Sequence, residues 1–129
     1  MNMKPLRLGT SSYSYWHFTP EKVTLDVIID KAAELGLMGV EILHQQLKEE
    51  NGYLQRLKRH AFRRGVAIYS LGTAQDFVNE DADERQRQLE HSLRCIDLAH
   101  ELGVPSIRVN AGTWRREGSG GLVETRGWT

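Results

Sequence analysis

Apolar residues along the chain follow two alternating rhythms. Four short runs are apolar almost throughout: LRLG from Leu6, GVEIL from Gly39, VAIYSL from Val66 and PSIRV from Pro105. They are rich in Val and Ile and bounded by Gly or Pro, which marks strands. Pro105 suits a strand's first residue, where a missing N–H disturbs the ladder least. Between the runs, apolar residues recur at three and four, the spacing of one helix face. Leu25, Ile28, Ile29, Ala32 and Leu35 predict a helix from about Thr24, a natural N-cap, to Leu35. Leu54, Leu57, Ala61 and Phe62 predict a second over about 52–64. Leu89, Leu93, Ile96, Ala99 and Leu102 predict a third over about 82–102. Asp81, with Glu84 three residues on, resembles a capping box with Asp in the Ser/Thr place. Gly36, Gly65 and Gly103 close the three helices, each where a left-handed residue is needed.

The order is βαβαβαβ. Alternation of this kind implies a parallel sheet with right-handed crossovers. Strand starts at Leu6, Gly39, Val66 and Pro105 are 33, 27 and 39 residues apart. An eight-unit (β/α) barrel of about 250 residues uses about 31 per unit. A doubly wound sheet tolerates similar spacing, so spacing alone does not choose. LGTSSYSYWHF after the first strand lacks the G-x-G-x-x-G phosphate loop, which lowers the dinucleotide-binding reading. Two helix–strand corners repeat: AAELGLMGVEI from Ala32 matches AHELGVPSIRV from Ala99 at a constant offset of 67. Either two similar corners arose independently, or a two-unit block is duplicated.

At 129 residues the chain has room for one core. Seventeen basic and 17 acidic side chains cancel, so net charge gives no footprint for nucleic acid or an anionic membrane. One cysteine, Cys95, excludes an internal disulfide and fits a reducing compartment. The N-terminus has no apolar run of signal-peptide type, and no stretch has the length of a membrane span. A cytoplasmic location is expected.

The stretches LGTSSYSYWHF, AAELGLMGVEILH, RGVAIYSLG and DFVNEDADERQRQLEHSLRCIDLAHELGVPSIRVNAG, taken in order, resemble the sugar phosphate isomerase/epimerase family. That family belongs to the xylose isomerase-like TIM-barrel superfamily, which also holds AP endonucleases. The resemblance covers about residues 6–114. It implies the N-terminal half of a (β/α)8 barrel over 1–114. It also implies a divalent metal (Mn, Mg, Co or Zn) at the C-terminal mouth of the whole barrel, with ligands mainly from later strands. No position here matches those ligands, so none is assigned and the chain alone is expected to bind no metal. Residues 115–129 are polar and Gly-rich with no helical stripe. They are expected to be a disordered or truncated tail.

Barrel chemistry sits at the C-terminal ends of strands and the loops beyond them. The positions after the first strand are Ser11, Ser12, Tyr13, Trp16 and His17; after the second, Glu41 and His44. Asp76, Phe77 and Asn79 follow the third, and Asn110 and Trp114 the fourth. The candidate substrate-binding residues are Trp16, His17, Glu41, His44, Asn79 and Asn110. Trp16 and His17 offer an aromatic face to sugar C–H bonds, or else cap the barrel end. Glu41 and His44, three apart, suit a metal or a proton shuttle, or else a polar interior residue beside a loop histidine. Asn79 and Asn110 carry donor and acceptor together, as a polyol requires, or stabilise their own turns. His60, His91 and His100 read as surface histidines. Arg56, Lys58, Arg59, Arg63 and Arg64 read as a solvated helix face, and Cys95 as a small buried side chain.

Three functions follow. The first is metal-assisted proton transfer next to the carbonyl of a sugar or sugar phosphate, with the isolated chain inactive. The second is abasic-site phosphodiester cleavage, disfavoured by the neutral charge. The third is a non-catalytic half-barrel that assembles with itself or a partner through bare sheet edges.

Overall fold

The computed structural model describes residues 6–16, 21–112, 116–117 and 121–122. The chain runs β1 (Gly9–Ser11), α1 (Tyr13–Trp16), α2 (Leu25–Glu34), β2 (Gly39–Leu43), a 3-10 turn (His44–Gln46), α3 (Tyr53–Arg64), β3 (Ala67–Gly72), α4 (Ala82–Leu102) and β4 (Ile107–Arg108). β1 to β4 form one parallel sheet in the order β1-β2-β3-β4. A doubly wound sheet would reverse its strand order at a switch point. Here the order never reverses, which is the winding of a barrel and decides what spacing left open.

The helices share one face of this sheet. Leu25, Ile28, Ile29 and Ala32 of α2, Leu57 and Ala61 of α3, and Ala99 and Leu102 of α4 pack with Val40, Ile42 and Leu71 in one core. Strand side chains alternate between faces. The other face of β2 therefore carries Gly39, Glu41 and Leu43. The β2–β3 register jumps from Val40↔Ile68 to Glu41↔Ser70, so Tyr69 is the extra residue of a bulge. Its ring lies across Gly9 and Gly39: a Cβ on Gly39 would stand 2.7 Å from Tyr69 Cδ1, and one on Gly9 2.8 Å from Cε1.

Helix ends follow the sequence closely. Gly36, Gly65 and Gly103 take φ of 70°, 70° and 74°. The Asp81 side chain accepts the Asp83 N–H at 2.9 Å, but the capping box is only half made. Glu84 turns to Arg87 and Gln88, and the Asp81 N–H donates to Asn79 Oδ1. Thr24 sits at the α2 N-cap without a side-chain hydrogen bond.

Several expected core residues lie outside. Leu35 is 68% and Phe62 85% exposed, each at the last turn of its helix, beyond the sheet it packs on. On α4 the buried line is Cys95, Ala99 and Leu102, while Leu89, Leu93 and Ile96 stay 47%, 54% and 52% exposed. Their stripe faces the side of α4 where no further element packs among the described residues. The first strand begins later than LRLG implied. Leu6 and Leu8 are exposed, and pairing beyond Gly9 is limited to Met38 N–H on the Leu8 carbonyl at 2.8 Å. Within the expected tail, β5 (Arg116–Glu117) pairs antiparallel with β6 (Gly121–Leu122); the rest of 115–129 lies outside the described residues. Among the described residues, no helix is long and apolar enough to cross a membrane.

Candidate functional site

The C-terminal ends of the strands hold a polar cluster on the face away from the helices. Ser11 and Glu41 are register partners on β1 and β2, and Ser11 Oγ donates to Glu41 Oε2 at 2.6 Å. From β4, Arg108 Nε donates to Glu41 Oε1 at 3.0 Å. Arg108 Nη1 also donates to Asn110 Oδ1 at 3.3 Å. Glu41 is thus held by a hydroxyl and a guanidinium while its side chain is only 13% exposed. The guanidinium spans β3 over Gly72, where a Cβ would stand 2.7 Å from Arg108 Nη2 and 2.9 Å from Leu43 Cδ2. Gly72 leaves the opening through which the β2 and β4 side chains meet.

The strand ends are pinned beneath this cluster. Ser12, fully buried, donates its N–H to the Glu41 carbonyl and accepts the Leu43 N–H on Oγ, both at 2.9 Å. Thr73 N–H donates to the Arg108 carbonyl at 2.9 Å. Its hydroxyl lies 2.8 Å from both that carbonyl and buried Gln75 Oε1, and its single proton serves one at a time. Tyr69 borders the cluster. Burial, and then the charge of Glu41, holds its phenol above the ordinary value.

The structure gathers some sequence candidates and separates others. Glu41 and Asn110 join one cluster through Arg108. Glu41 and His44 do not act together: Glu41 faces Ser11 and Arg108, whereas His44 lies edge-on to His91 of α4, ring centroids 4.8 Å apart. Strand alternation ends at Leu43 and the 3-10 turn carries His44 to the helix side. Asn79 accepts the Asp81 N–H at 3.0 Å and so stabilises its own turn. Trp16, half-buried in α1, has the Lys22 ammonium 5.9 Å from its ring centroid. His17 and Trp114 lie outside the described residues.

Arg108 was not among the sequence candidates. Its signal is a lone charge inside the apolar run PSIRV, at the C-terminal end of a strand. His91 is not an ordinary surface histidine, since it contacts both His44 and the Cys95 thiol. His60 is also engaged, 2.9 Å from Asp30. On α3, Arg56 pairs with Glu50, Arg64 with Asp30, and Lys58 donates to the Glu101 carbonyl. Those cations are therefore already partnered.

A second concavity opens on the helix side. It is a cleft of about 610 Å³ between the loop after β2, the start of α3 and α4. Its walls include His44, Glu49, His91 and Arg94. Burial, and then the neighbouring His91, lowers the His44 pKa. Burial raises that of the Cys95 thiol, so nothing here activates it as a nucleophile.

Unreversed strand order, helices on one face and polar side chains gathered at the C-terminal strand ends define part of a (β/α) barrel with a substrate-side mouth. The family model described as xylose isomerase-like TIM barrel matches residues 29–127. The chain belongs to that family. No curated protein matches it. Among solved structures it is similar to a xylose isomerase-like TIM barrel/4-hydroxyphenylpyruvate dioxygenase fusion protein, with TM-score 0.66 and 24% identity over 82% of this chain and 16% of that one. It is also similar to the probable 3-DHS dehydratase AsbF, involved in petrobactin synthesis, from Bacillus anthracis, with TM-score 0.66 and 16% identity over 81% of this chain and 38% of that one. The chain thus spans less than half the length of either structure, and at these identities both show the fold alone.

The Glu41 cluster by itself does not fit the divalent metal implied by the family, whose ligands are expected mainly from later strands. A hard cation asks for several oxygen ligands, and a softer one for imidazole or thiolate. The cluster offers one carboxylate, and a guanidinium already occupies it.

Proposed function

We propose that this chain forms the β1–β4 side of a barrel enzyme that moves a proton next to the carbonyl of a sugar or sugar phosphate, and that its own part is to hold the substrate. The observation that carries this reading is the Glu41–Arg108 pair at the strand ends, flanked by Ser11 and Asn110. A guanidinium is a planar fork of donors suited to phosphate oxygens. Asn110 brings a donor and an acceptor, and Glu41 an acceptor, for hydroxyls. A general base needs a free lone pair within reach of the proton it takes. Glu41 already accepts from Ser11 and Arg108, and in this reading its remaining lone pairs hold substrate hydroxyls, so proton abstraction is assigned to a group beyond this chain. The proposed setting is cytoplasmic, supported by the single cysteine.

The test is chemical-shift mapping of the full chain with an aldose phosphate and with the unphosphorylated sugar. Shifts should centre on Ser11, Glu41, Arg108 and Asn110. Arg108→Lys should weaken the phosphate more than the sugar, because the fork is lost and the charge kept. Shifts scattered over the surface would overturn the reading. So would epimerisation by the pure chain, since it would place the proton-transfer group within it. The abasic-site phosphodiesterase reading gains nothing from a net charge of zero; salt-dependent DNA affinity would revive it.

A second reading, self-assembly, is supported by the exposed Leu89, Leu93 and Ile96 stripe and by Val109, 48% exposed beside the β4 edge. Two copies joined there would cover apolar surface that each leaves in water. Sedimentation equilibrium decides it: a strict monomer at the highest soluble concentration counts against.

A further inference from the structure

We propose that His44, His91 and Cys95 form a three-ligand site for a zinc-class divalent ion, with its fourth position open to the cleft between the post-β2 loop and α4. The three residues come from two elements. His91 and Cys95 stand four apart on α4, where side chains at that spacing share a face. The 3-10 turn after β2 brings His44 against them. One ligand atom from each lies within 4.8 Å of the other two. Tetrahedral zinc with ordinary Zn–S and Zn–N bonds sets sulfur and nitrogen about 3.6 Å apart. Cys95 Sγ and His91 Nε2 are already 3.6 Å apart. The His44 nitrogen, within 4.8 Å of both other ligand atoms, closes to the shorter span that zinc imposes when the ion binds.

The donor set selects the ion. Two imidazoles and one thiolate are borderline-soft ligands that suit zinc or cobalt and disfavour magnesium and calcium. Cys95 is 1% exposed, so the sulfur side of the site is dry. His44 and His91 line the cleft, so the remaining coordination position faces solvent. Three protein ligands with one open position is the arrangement of zinc sites that keep a water or substrate on the metal. Glu49, Glu50 and Glu101 line the same cleft and attract a cation, offset in part by Lys48 and Arg94. As the sulfur–metal bond forms, the thiol proton leaves to solvent; no oxidant or reductant takes part. The site lies on the helix face and uses none of the mouth residues.

The competing account is a thiol–imidazole hydrogen bond with edge-on ring packing and no affinity for metal. Titrating the full chain with cobalt(II) separates the two. The expected result is one equivalent bound, with a thiolate-to-cobalt charge-transfer band and the intense visible bands of four-coordinate cobalt. Zinc should bleach both. Cys95→Ser should abolish the charge-transfer band. His44→Gln, at a half-buried position outside the main core, should weaken binding at least about tenfold, with folding checked by circular dichroism. His60→Gln should change nothing, because His60, on α3, is paired with Asp30 of α2 away from this site. If Cys95→Ser fails to fold by circular dichroism, His44→Gln decides alone. Absence of a saturable band in the native chain would overturn the site. An unchanged titration in His44→Gln would do the same.

Discussion

Removing Arg108 should hurt this fold more than neutralising its partner, although both changes break the same ion pair. The two ends of the pair differ in burial: the Glu41 side chain is 13% exposed and that of Arg108 45%. Arg108→Met keeps most of the aliphatic stem and removes the charge, leaving a nearly buried carboxylate with the Ser11 hydroxyl as a donor but no countercharge beside it. Orphaning one member of a fully buried pair costs about 3–5 kcal/mol, whereas an exposed pair is worth about 0–1 kcal/mol. With one partner nearly buried and the other half-solvated, about 1–2 kcal/mol is expected for Arg108→Met. Glu41→Gln keeps an oxygen for the Ser11 hydroxyl and leaves a guanidinium that water can reach. It should cost about 0.5–1 kcal/mol. The double variant should cost less than the sum of the singles, since neither charge is then stranded. Urea unfolding followed by far-ultraviolet circular dichroism gives all three values, provided the slopes agree. A loss in Glu41→Gln equal to or larger than that in Arg108→Met would refute the reasoning, as would strict additivity.

Two further outcomes involve Tyr69. Gly39→Ala would place a Cβ 2.7 Å from Tyr69 Cδ1 and 3.0 Å from the Ala67 carbonyl oxygen. It should destabilise by about 1–3 kcal/mol, and adding Tyr69→Ala should recover the part owed to the ring but not the part owed to the carbonyl; thermal melts of both variants check this. Burial holds the phenols of Tyr53 and Tyr69 above the ordinary value of 10.0, helped by the charges of Asp26 and Glu41 respectively. The folded state keeps these protons after the unfolded chain has lost them, so the contribution is full below pH 10 and is lost as pH rises through the raised values. The urea midpoint should fall on that alkaline limb, and Tyr69→Phe should make the fall shallower; an equal fall in the variant would remove Tyr69 from the account.

The element order was legible because it depends on local rhythm. GVEIL and VAIYSL form strands, the first buried and the second buried at its C-terminal half, and α2, α3 and α4 begin and end within a residue or two of where stripe and glycine put them. Burial was less legible, because periodicity reports a face but not what covers it. Leu89, Leu93 and Ile96 repeat as well as Cys95, Ala99 and Leu102 do, yet only the second line meets the sheet. Glu41 and Asn110 were found because strand ends are where barrels place polar groups. Arg108 was missed because one charge in a short apolar run carries no period. The His44–His91–Cys95 group is long-range: the i, i+4 pair is visible on α4, but only the fold brings His44 to it.

The repeated corner explains why the mouth cluster forms where it does. At the offset of 67, Ala32 and Ala99 are both buried under the sheet, and Val40 and Ile107 both turn to the helices. Leu35 and Leu102 break the equivalence, one 68% exposed and the other 4%. The same offset sets Glu41 against Arg108, and these are the two residues that pair. In a barrel, alternate strands contribute side chains to one interior layer. β2 and β4 are alternate strands; the register sets Leu43, Gly72 and Arg108 in line, and the Arg108 guanidinium reaches back to Glu41 across Gly72, which supplies no side chain to part them. If equivalence of position, rather than the particular order of charges, makes the pair, then exchanging the charges should be tolerated. Glu41→Arg alone sets two cations together, and Arg108→Glu alone two carboxylates; each should destabilise strongly. The exchanged double variant should recover about 1–3 kcal/mol relative to the sum of the two. Failure to recover would mean that Ser11 and the strand ends are shaped for a carboxylate on β2 specifically, and that the repeated corner fixes the backbone but not the chemistry.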